Sequence, residues 1–258
     1  MDWKDKVVFL TGASSGIGEA LALDLAKRGA VLGLLARRGE LLLRLAEKCD
    51  ARGGRARVFA CDVTDEDAVA DAADSLRNEF GRIDILICNA GIGGPRHAKD
   101  LTTADVRKVF EVNFIGAVNA VTAVLPEMVR HGSGQIVAIS SLAGFRGLPR
   151  SASYSASKGA MTNFFESLRL DLIGSGVAVT VIQPGFILTP LTANRKHKLP
   201  FLMKLEDAVP LFVRAIERKK RFAAFPWQLA GFVRLGRIIP GWLYDRIAGR
   251  ANYREDKD

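Results

Sequence analysis

The feature that constrains this chain most is how its first apolar run empties into glycines. Val7-Val8-Phe9-Leu10 leads straight into Thr11-Gly12-Ala13-Ser14-Ser15-Gly16-Ile17-Gly18, and a helical pattern over residues 17–28 follows. A strand that turns through three glycines into a helix brings backbone N–H groups and a helix N-terminus to one point. Such a point suits a pyrophosphate, because unpaired first-turn N–H groups and the helix dipole both favour negative charge. The first gap between glycines is one residue longer than in the generic dinucleotide signature. Alone, the triplet can be a mere turn; its place at the first strand–helix junction is what points to a ligand crevice.

The alternation continues down the chain. Apolar strand patterns at 30–36, 57–60, 83–87, 135–140 and 177–183 alternate with helical patterns at 40–51, 65–79, 104–125 and 154–173. Near-continuous apolar strands between helices predict a parallel sheet covered on both faces. Right-handed crossovers make it a doubly wound, Rossmann-like α/β fold. With 48% hydrophobic residues the chain can bury a core of that size, and no linker or repeat interrupts residues 1–190. The reading is one domain, with 191–258 as its C-terminal extension.

The end of the second strand selects the cofactor. An acid there would bind the ribose hydroxyls of NAD, but the chain has Ala36-Arg37-Arg38 and no acid before Glu40. A guanidinium pairs with a 2′-phosphate, so NADP(H) is preferred, with NAD(H) as the alternative. In the plainer reading, Arg37 and Arg38 solvate a loop. Asp62-Val63 follows the third strand, as a cap on the adenine side of the pocket or as a turn.

A second constellation carries reaction chemistry. Tyr154 and Lys158 are four residues apart on one helix face, which brings their side chains together. Reducing a ketone requires a hydride donor, a proton donor and a group that polarises the carbonyl. For a tyrosine to act near neutral pH its pKa must fall by roughly three units, about 4 kcal/mol of phenolate stabilisation. A lysine ammonium in a site of reduced dielectric supplies much of that. Ser141, leaving the fifth strand, can donate a hydrogen bond to the developing oxyanion, with Ser140 as its nearest competitor.

Together these motifs resemble the short-chain dehydrogenase/reductase family over residues 6–190. The resemblance rests on Thr11–Gly18, Cys88-Asn89-Ala90-Gly91, Asn113, Ser141, Tyr154-Ser-Ala-Ser-Lys158, and Pro184-Gly185 with Thr189. It implies that Tyr154 is the acid/base, that Lys158 also holds the nicotinamide ribose, and that Ser141 orients the carbonyl. It further implies that Asn113 organises a water for proton relay, although a buried helix-kink residue is the simpler account of Asn113. It places Gly12, Ser14, Ser15, Gly16, Ile17, Gly18, Asn89, Ala90, Gly91, Pro184, Gly185 and Thr189 around the cofactor, with Thr189 on the carboxamide. A helix N-cap explains Thr189 as well. Cys88 departs from the family pattern, which has Asn there.

Charge separates the two parts. Residues 1–190 carry 22 Lys+Arg against 21 Asp+Glu, while 191–258 carry 15 against 7. A nucleic-acid binder would spread its charge over a larger face, so none is expected as partner. No metal site is expected from three scattered histidines. Three cysteines without metal-like spacing, and no secretory leader at the N-terminus, predict a cytoplasmic protein with reduced thiols. Within the extension, 191–205 reads as a mobile substrate lid containing Arg195-Lys196-His197-Lys198. Residues 222–250 combine large apolar groups with Arg234, Arg237, Arg246 and Arg250. They fit a peripheral membrane contact, a subunit interface, or a flap over the substrate pocket.

The function expected is therefore an NADP(H)-dependent oxidoreductase acting on a carbonyl/secondary alcohol pair of a hydrophobic small molecule. The family resemblance implies a dimer or tetramer formed through the long helices. A narrower alternative is a 3-oxoacyl thioester reductase docking an acidic carrier protein. An alternative of another class is a cofactor-binding regulator at a membrane surface without turnover.

Overall fold

The computed structural model describes residues 1–193 and 199–253. Seven strands form one sheet: β1 (Val7–Thr11), β2 (Val31–Leu35), β3 (Arg55–Phe59), β4 (Ile85–Cys88), β5 (Gly134–Ile139), β6 (Val177–Pro184) and β7 (Phe222–Phe225). Their order is β3-β2-β1-β4-β5-β6-β7, and every pairing is parallel. Chain direction across the sheet reverses between β1 and β4. A crevice opens there at the strands' C-terminal ends.

Both faces are buried, which is why the strands read as continuous apolar runs. Side chains alternate between the faces. Val8 and Leu10 enter one core with Leu21, Leu25 and Phe212; Val7 and Phe9 enter the other with Leu76, Val124 and Phe165. Helices α1 (Gly16–Lys27) and α2 (Gly39–Asp50) cover the first face, joined by α7 (Leu205–Glu217). Helices α3 (Glu66–Phe80), α5 (Gly116–Arg130) and α6 (Ala152–Asp171) lie on the other, and α4 (Thr103–Phe110) packs against α6.

The helix expected at 104–125 differs in two ways. A π-helical turn, Glu111–Ile115, separates α4 from α5 and holds Asn113. Helix α5 also passes through Pro126 to Arg130, because burial of Val124 and Met128 under the sheet holds its last turn in place. The stretch from 103 to 130 is apolar and long enough to cross a membrane, yet 44% of its most apolar window is buried inside the protein. Packed on the sheet beside α3, α5 is a core helix.

The extension departs from the expectation at 222–225. These residues form β7, hydrogen-bonded to β6 from Val181↔Phe222 to Pro184↔Phe225. The outward apolar surface therefore begins only at Trp227, with α8 (Trp227–Ile238) and α9 (Gly241–Tyr253). The lid expectation at 191–205 falls partly outside the described residues, since Arg195, Lys196, His197 and Lys198 lie there.

Candidate active site

The crevice at the switch point is a cleft of about 390 Å³. Gly12, Ser14, Ser15, Gly16 and Ile17 form its floor, Arg37, Arg38, Asp62 and Val63 one end, and Asn89, Ala90, Gly91 and Thr189 its far side. The floor is close-packed backbone. A Cβ on Gly12 would sit 2.6 Å from Cα of Ala90, and its φ of 66° disfavours any side chain. A Cβ on Gly18 would sit 2.3 Å from the Gly12 carbonyl oxygen. Gly18 is thus not a cleft wall; it allows α1 to start directly against the loop.

The N-terminus of α1 is open. Ser15 stands at the N-cap position but its side chain caps nothing. Its hydroxyl instead accepts a 2.7 Å bond from Nη2 of Arg38, which also donates to Oγ of Ser14 at 2.9 Å. The uncapped helix end and the anchored guanidinium make an anion site at the β1–α1 turn. Arg37 reaches Asp62 at 3.7 Å. Oδ1 of Asp62 accepts from the amide and hydroxyl of Thr64, so Asp62 is a turn residue as well as part of the cleft wall. Asn119 on α5 fixes the Val63 carbonyl at 3.0 Å.

The far side depends on Thr11, which opens the glycine motif and to which the sequence alone assigns no chemistry. Its hydroxyl accepts from the amides of Asn89 and Ala90, both at 3.1 Å. Nδ2 of Asn89 donates in return to the carbonyls of Thr11 and Gly12, each at 3.1 Å. Asn89 therefore clamps the end of β4 to the glycine loop. Cys88 beneath it is buried, and its thiol points to the Ala117 carbonyl at 3.7 Å. Burial pushes this thiol up to about 12, which keeps it neutral.

The residues expected to carry the reaction gather at the ends of β5 and β6. Lys158 is 3% exposed and donates through Nζ to the Ile139 carbonyl at 2.9 Å. Burial lowers its pKa to about 8. Tyr154 is half-buried one turn earlier on α6. Ser141 opens a short 3-10 turn, where its Oγ accepts from the Ala143 amide at 3.1 Å and donates to the Pro184 carbonyl at 3.4 Å. It is both a turn cap and the serine beside the site. Ser140 turns away, bonding the Lys158 carbonyl and Thr162, and so ties β5 to α6.

Asn113 is fully buried in the π turn. Oδ1 accepts from the Ile92 amide at 2.7 Å, and Nδ2 donates to the Ile92 carbonyl and to Oγ of Ser157, each at 3.0 Å. Ser157 passes the tie to the Tyr154 carbonyl at 2.8 Å. No sequence signal marks Ser157 beyond its place inside the Tyr154–Lys158 interval. Pro184 and Gly185 lie off the cleft: Gly185 donates to the Phe225 carbonyl at 2.6 Å and packs beneath Leu229 of α8. Thr189 borders the cleft beside Gly16, and its carbonyl accepts from the amides of Thr192 and Ala193 in a turn that runs to the end of the described residues there.

A glycine-floored anion site at the switch of a parallel sheet, beside a buried lysine and a tyrosine one turn away, defines a dinucleotide-dependent oxidoreductase of the doubly wound class. The family model for short chain dehydrogenases matches residues 6–200, and the chain belongs to the short-chain dehydrogenase/reductase family. An uncharacterised oxidoreductase of Myxococcus xanthus is 43% identical over 95% of this chain and 97% of its own length. A fatty acyl-CoA reductase of Acinetobacter baylyi is 34% identical, covering 88% and 78%. An 11-beta-hydroxysteroid dehydrogenase-like protein, 4A of Arabidopsis thaliana, is 36% identical, covering 93% and 83%. Among solved structures, a Burkholderia phymatum short-chain dehydrogenase/reductase in complex with NAD aligns with a TM-score of 0.84 at 26% identity, covering 91% and 94%. The protein is accordingly an NAD(P)-dependent hydride-transfer oxidoreductase.

Proposed function

We propose that this enzyme uses NADP(H) to interconvert a carbonyl and a secondary alcohol on an apolar small molecule, with Tyr154, Lys158, Ser141 and Asn113 as its working residues. The observation that carries the reading is Lys158: an almost fully buried ammonium, held at the end of β5, one helical turn from Tyr154. A buried charge is costly to keep, and here it stands where a phenolate needs stabilising.

When bound, the nicotinamide supplies or accepts the hydride. In reduction, the substrate oxygen lies between Ser141 and Tyr154. The Ala143 amide fixes Oγ of Ser141 as an acceptor, leaving its hydrogen to turn from the distant Pro184 carbonyl to the substrate. Tyr154 gives its phenolic proton to the oxygen as the carbon becomes tetrahedral, and Lys158 stabilises the phenolate left behind. Gly91 brings the chain close to both groups: a Cβ there would lie 3.3 Å from Oδ1 of Asn113 and 3.5 Å from Nζ of Lys158. Asn113, held in place by its bonds to Ile92 and Ser157, is the residue we assign to organising a relay water.

NADP(H) over NAD(H) is supported by Arg38, whose guanidinium is braced over the loop by Ser14 and Ser15, and by Arg37 beside it. The relatives named for a fatty acyl-CoA and a hydroxysteroid support an apolar substrate. Residues 1–190 supply cofactor and chemistry, and 191–258 the lid and extension of the same domain. Outward Trp227, Phe232, Leu235 and Trp242, with Arg234 and Arg246 exposed nearby, support peripheral contact with an anionic membrane from the cytoplasmic side. Exposed Val129 on α5 and Leu170 and Ile173 at the end of α6 support a homo-oligomer through these helices. Assaying the purified enzyme on a panel of apolar ketones with NADPH and with NADH tests the reading. Turnover at least about tenfold faster per unit of free cofactor with NADPH is expected. No turnover across the panel, or a preference for NADH, contradicts it.

A further inference from the structure

Helices α8 and α9 follow one another at the C-terminal end of the described residues, and a few specific contacts link them to the site. Arg146 lies in the segment between Ser141 and Tyr154. Its Nη1 donates to the Gly236 carbonyl and, at 3.1 Å, to the Ile239 carbonyl, both at the C-terminal end of α8. Four carbonyls at a helix C-terminus lack partners within the helix and carry the negative end of its dipole, so a guanidinium there is doubly favoured. The same guanidinium lies 3.7 Å from the ring centroid of Tyr244 on α9. The Tyr244 hydroxyl donates back to the Gly147 carbonyl at 2.5 Å. Burial raises this phenol above its ordinary pKa, which keeps the donor protonated.

Two further contacts seat α8 over the same corner. Leu229 packs onto Gly185, just after the Pro184 carbonyl that accepts from Ser141. Phe232 stacks on Phe201 of the lid segment, with ring centroids 6.3 Å apart. The α8–α9 segment therefore stands against residues 145–147 and over Gly185, close to Ser141, and none of its described residues lines the dinucleotide cleft.

We propose that Arg146 and Tyr244 are specificity-determining positioning residues: together they latch the α8–α9 segment to residues 145–147 and make it the substrate site's outer wall. The proposal rests on the carbonyl-reductase reading above. The latch does not touch the reacting atoms. It sets the depth of apolar wall that a long substrate meets, while a small ketone reaches Tyr154 without needing that wall. Arg146 does this better than a lysine would, because one planar group bonds two carbonyls and stacks on a ring at once.

The test measures Arg146→Ala, Arg146→Lys, Tyr244→Phe and Tyr244→Ala with a long aliphatic methyl ketone and with butanone, and measures NADPH binding separately. Arg146→Ala and Tyr244→Ala are expected to raise KM for the long ketone about tenfold or more while kcat changes less than about twofold. Butanone kinetics and NADPH affinity stay near wild type. Arg146→Lys and Tyr244→Phe, which each keep part of the latch, fall between. Equal losses on both ketones, or no loss on either, overturn the latch. Hydrogen exchange gives an independent readout that needs no turnover. Arg146→Ala must speed exchange in residues 142–151 and in 227–247 together, and a change confined to one segment overturns the coupling. Wild-type enzyme inactive on every ketone would instead count against the carbonyl-reductase reading, leaving the exchange result to decide the latch.

Discussion

The dinucleotide cleft and the C-terminal α8–α9 segment flank the same region but are held by opposite means. The cleft is fixed by backbone: glycines too close to their neighbours to bear a side chain, and Thr11 and Asn89 bonding main-chain groups across β1 and β4. The α8–α9 segment is held near Ser141 by a handful of side chains, chiefly Arg146, Tyr244 and Leu229. The difference teaches where the molecule is tolerant. A structure built of close backbone contacts admits almost no substitution, whereas one held by a few side chains can change its wall without disturbing the chemistry.

Breaking the cleft should have the larger effect. Gly18→Val places a branched side chain where even a Cβ lies 2.3 Å from a carbonyl oxygen, so α1 must shift away from the loop. Overpacking of this kind costs about 1–3 kcal/mol or more, and NADPH affinity measured by fluorescence titration should fall by about a hundredfold. Unchanged affinity would show that the floor is less rigid than its contacts imply.

Lys158 sharpens the comparison by showing what the cleft region sacrifices for function. Its folded pKa of about 8 lies below the ordinary 10.5, so the folded state is penalised whenever the lysine is charged. The penalty is fully present below about pH 8 and fades as pH rises toward 10.5, so this group's contribution to stability improves across that window. The shift corresponds to roughly 3 kcal/mol as an upper value. Lys158→Met is expected to abolish turnover and yet raise the melting temperature at pH 7, an effect that shrinks above pH 8. In the wild type, kcat/KM for reduction should decline as pH passes about 8. A destabilised Lys158→Met protein would mean that the bond to Ile139 outweighs the buried charge.

The smallest expected effect is at the cofactor's distal end. Arg38→Ala removes the group bonded to Ser14 and Ser15 and should cut the NADPH:NADH ratio of kcat/KM by about tenfold, with NADH kinetics little changed. Equal losses with both cofactors would make Arg38 a loop brace and nothing more.

Much of the cleft was legible in the sequence because its signals are local. Glycines between a strand and a helix, arginines at the end of β2, and a tyrosine four residues before a lysine each state their geometry within a few positions. What escaped was non-local or lacked a residue code. Phe222–Phe225 reads as part of an apolar surface run, and only pairing with β6 makes it a strand. The π turn at Glu111–Ile115 differs from an α-helix by a single hydrogen-bond offset, which no residue type announces. Pro126 looks like a helix end, yet packing overrides it. Arg146 and Tyr244 meet only after folding; apart, each resembles an ordinary surface residue. Gly18, Pro184 and Gly185 belong to the motifs but lie off the cleft, Gly18 under the glycine loop and Gly185 beneath α8.

Tyr154, one helical turn from the buried Lys158, is proposed to deliver the proton as hydride reaches the carbonyl. Single-turnover oxidation of NADPH by wild type and Tyr154→Phe, with the best ketone from the panel, tests it most directly. Phenylalanine keeps the ring and removes only the hydroxyl. The rate is expected to fall by about a thousandfold while NADPH affinity stays within about threefold. A Tyr154→Phe enzyme that turns over at the wild-type rate would contradict the account.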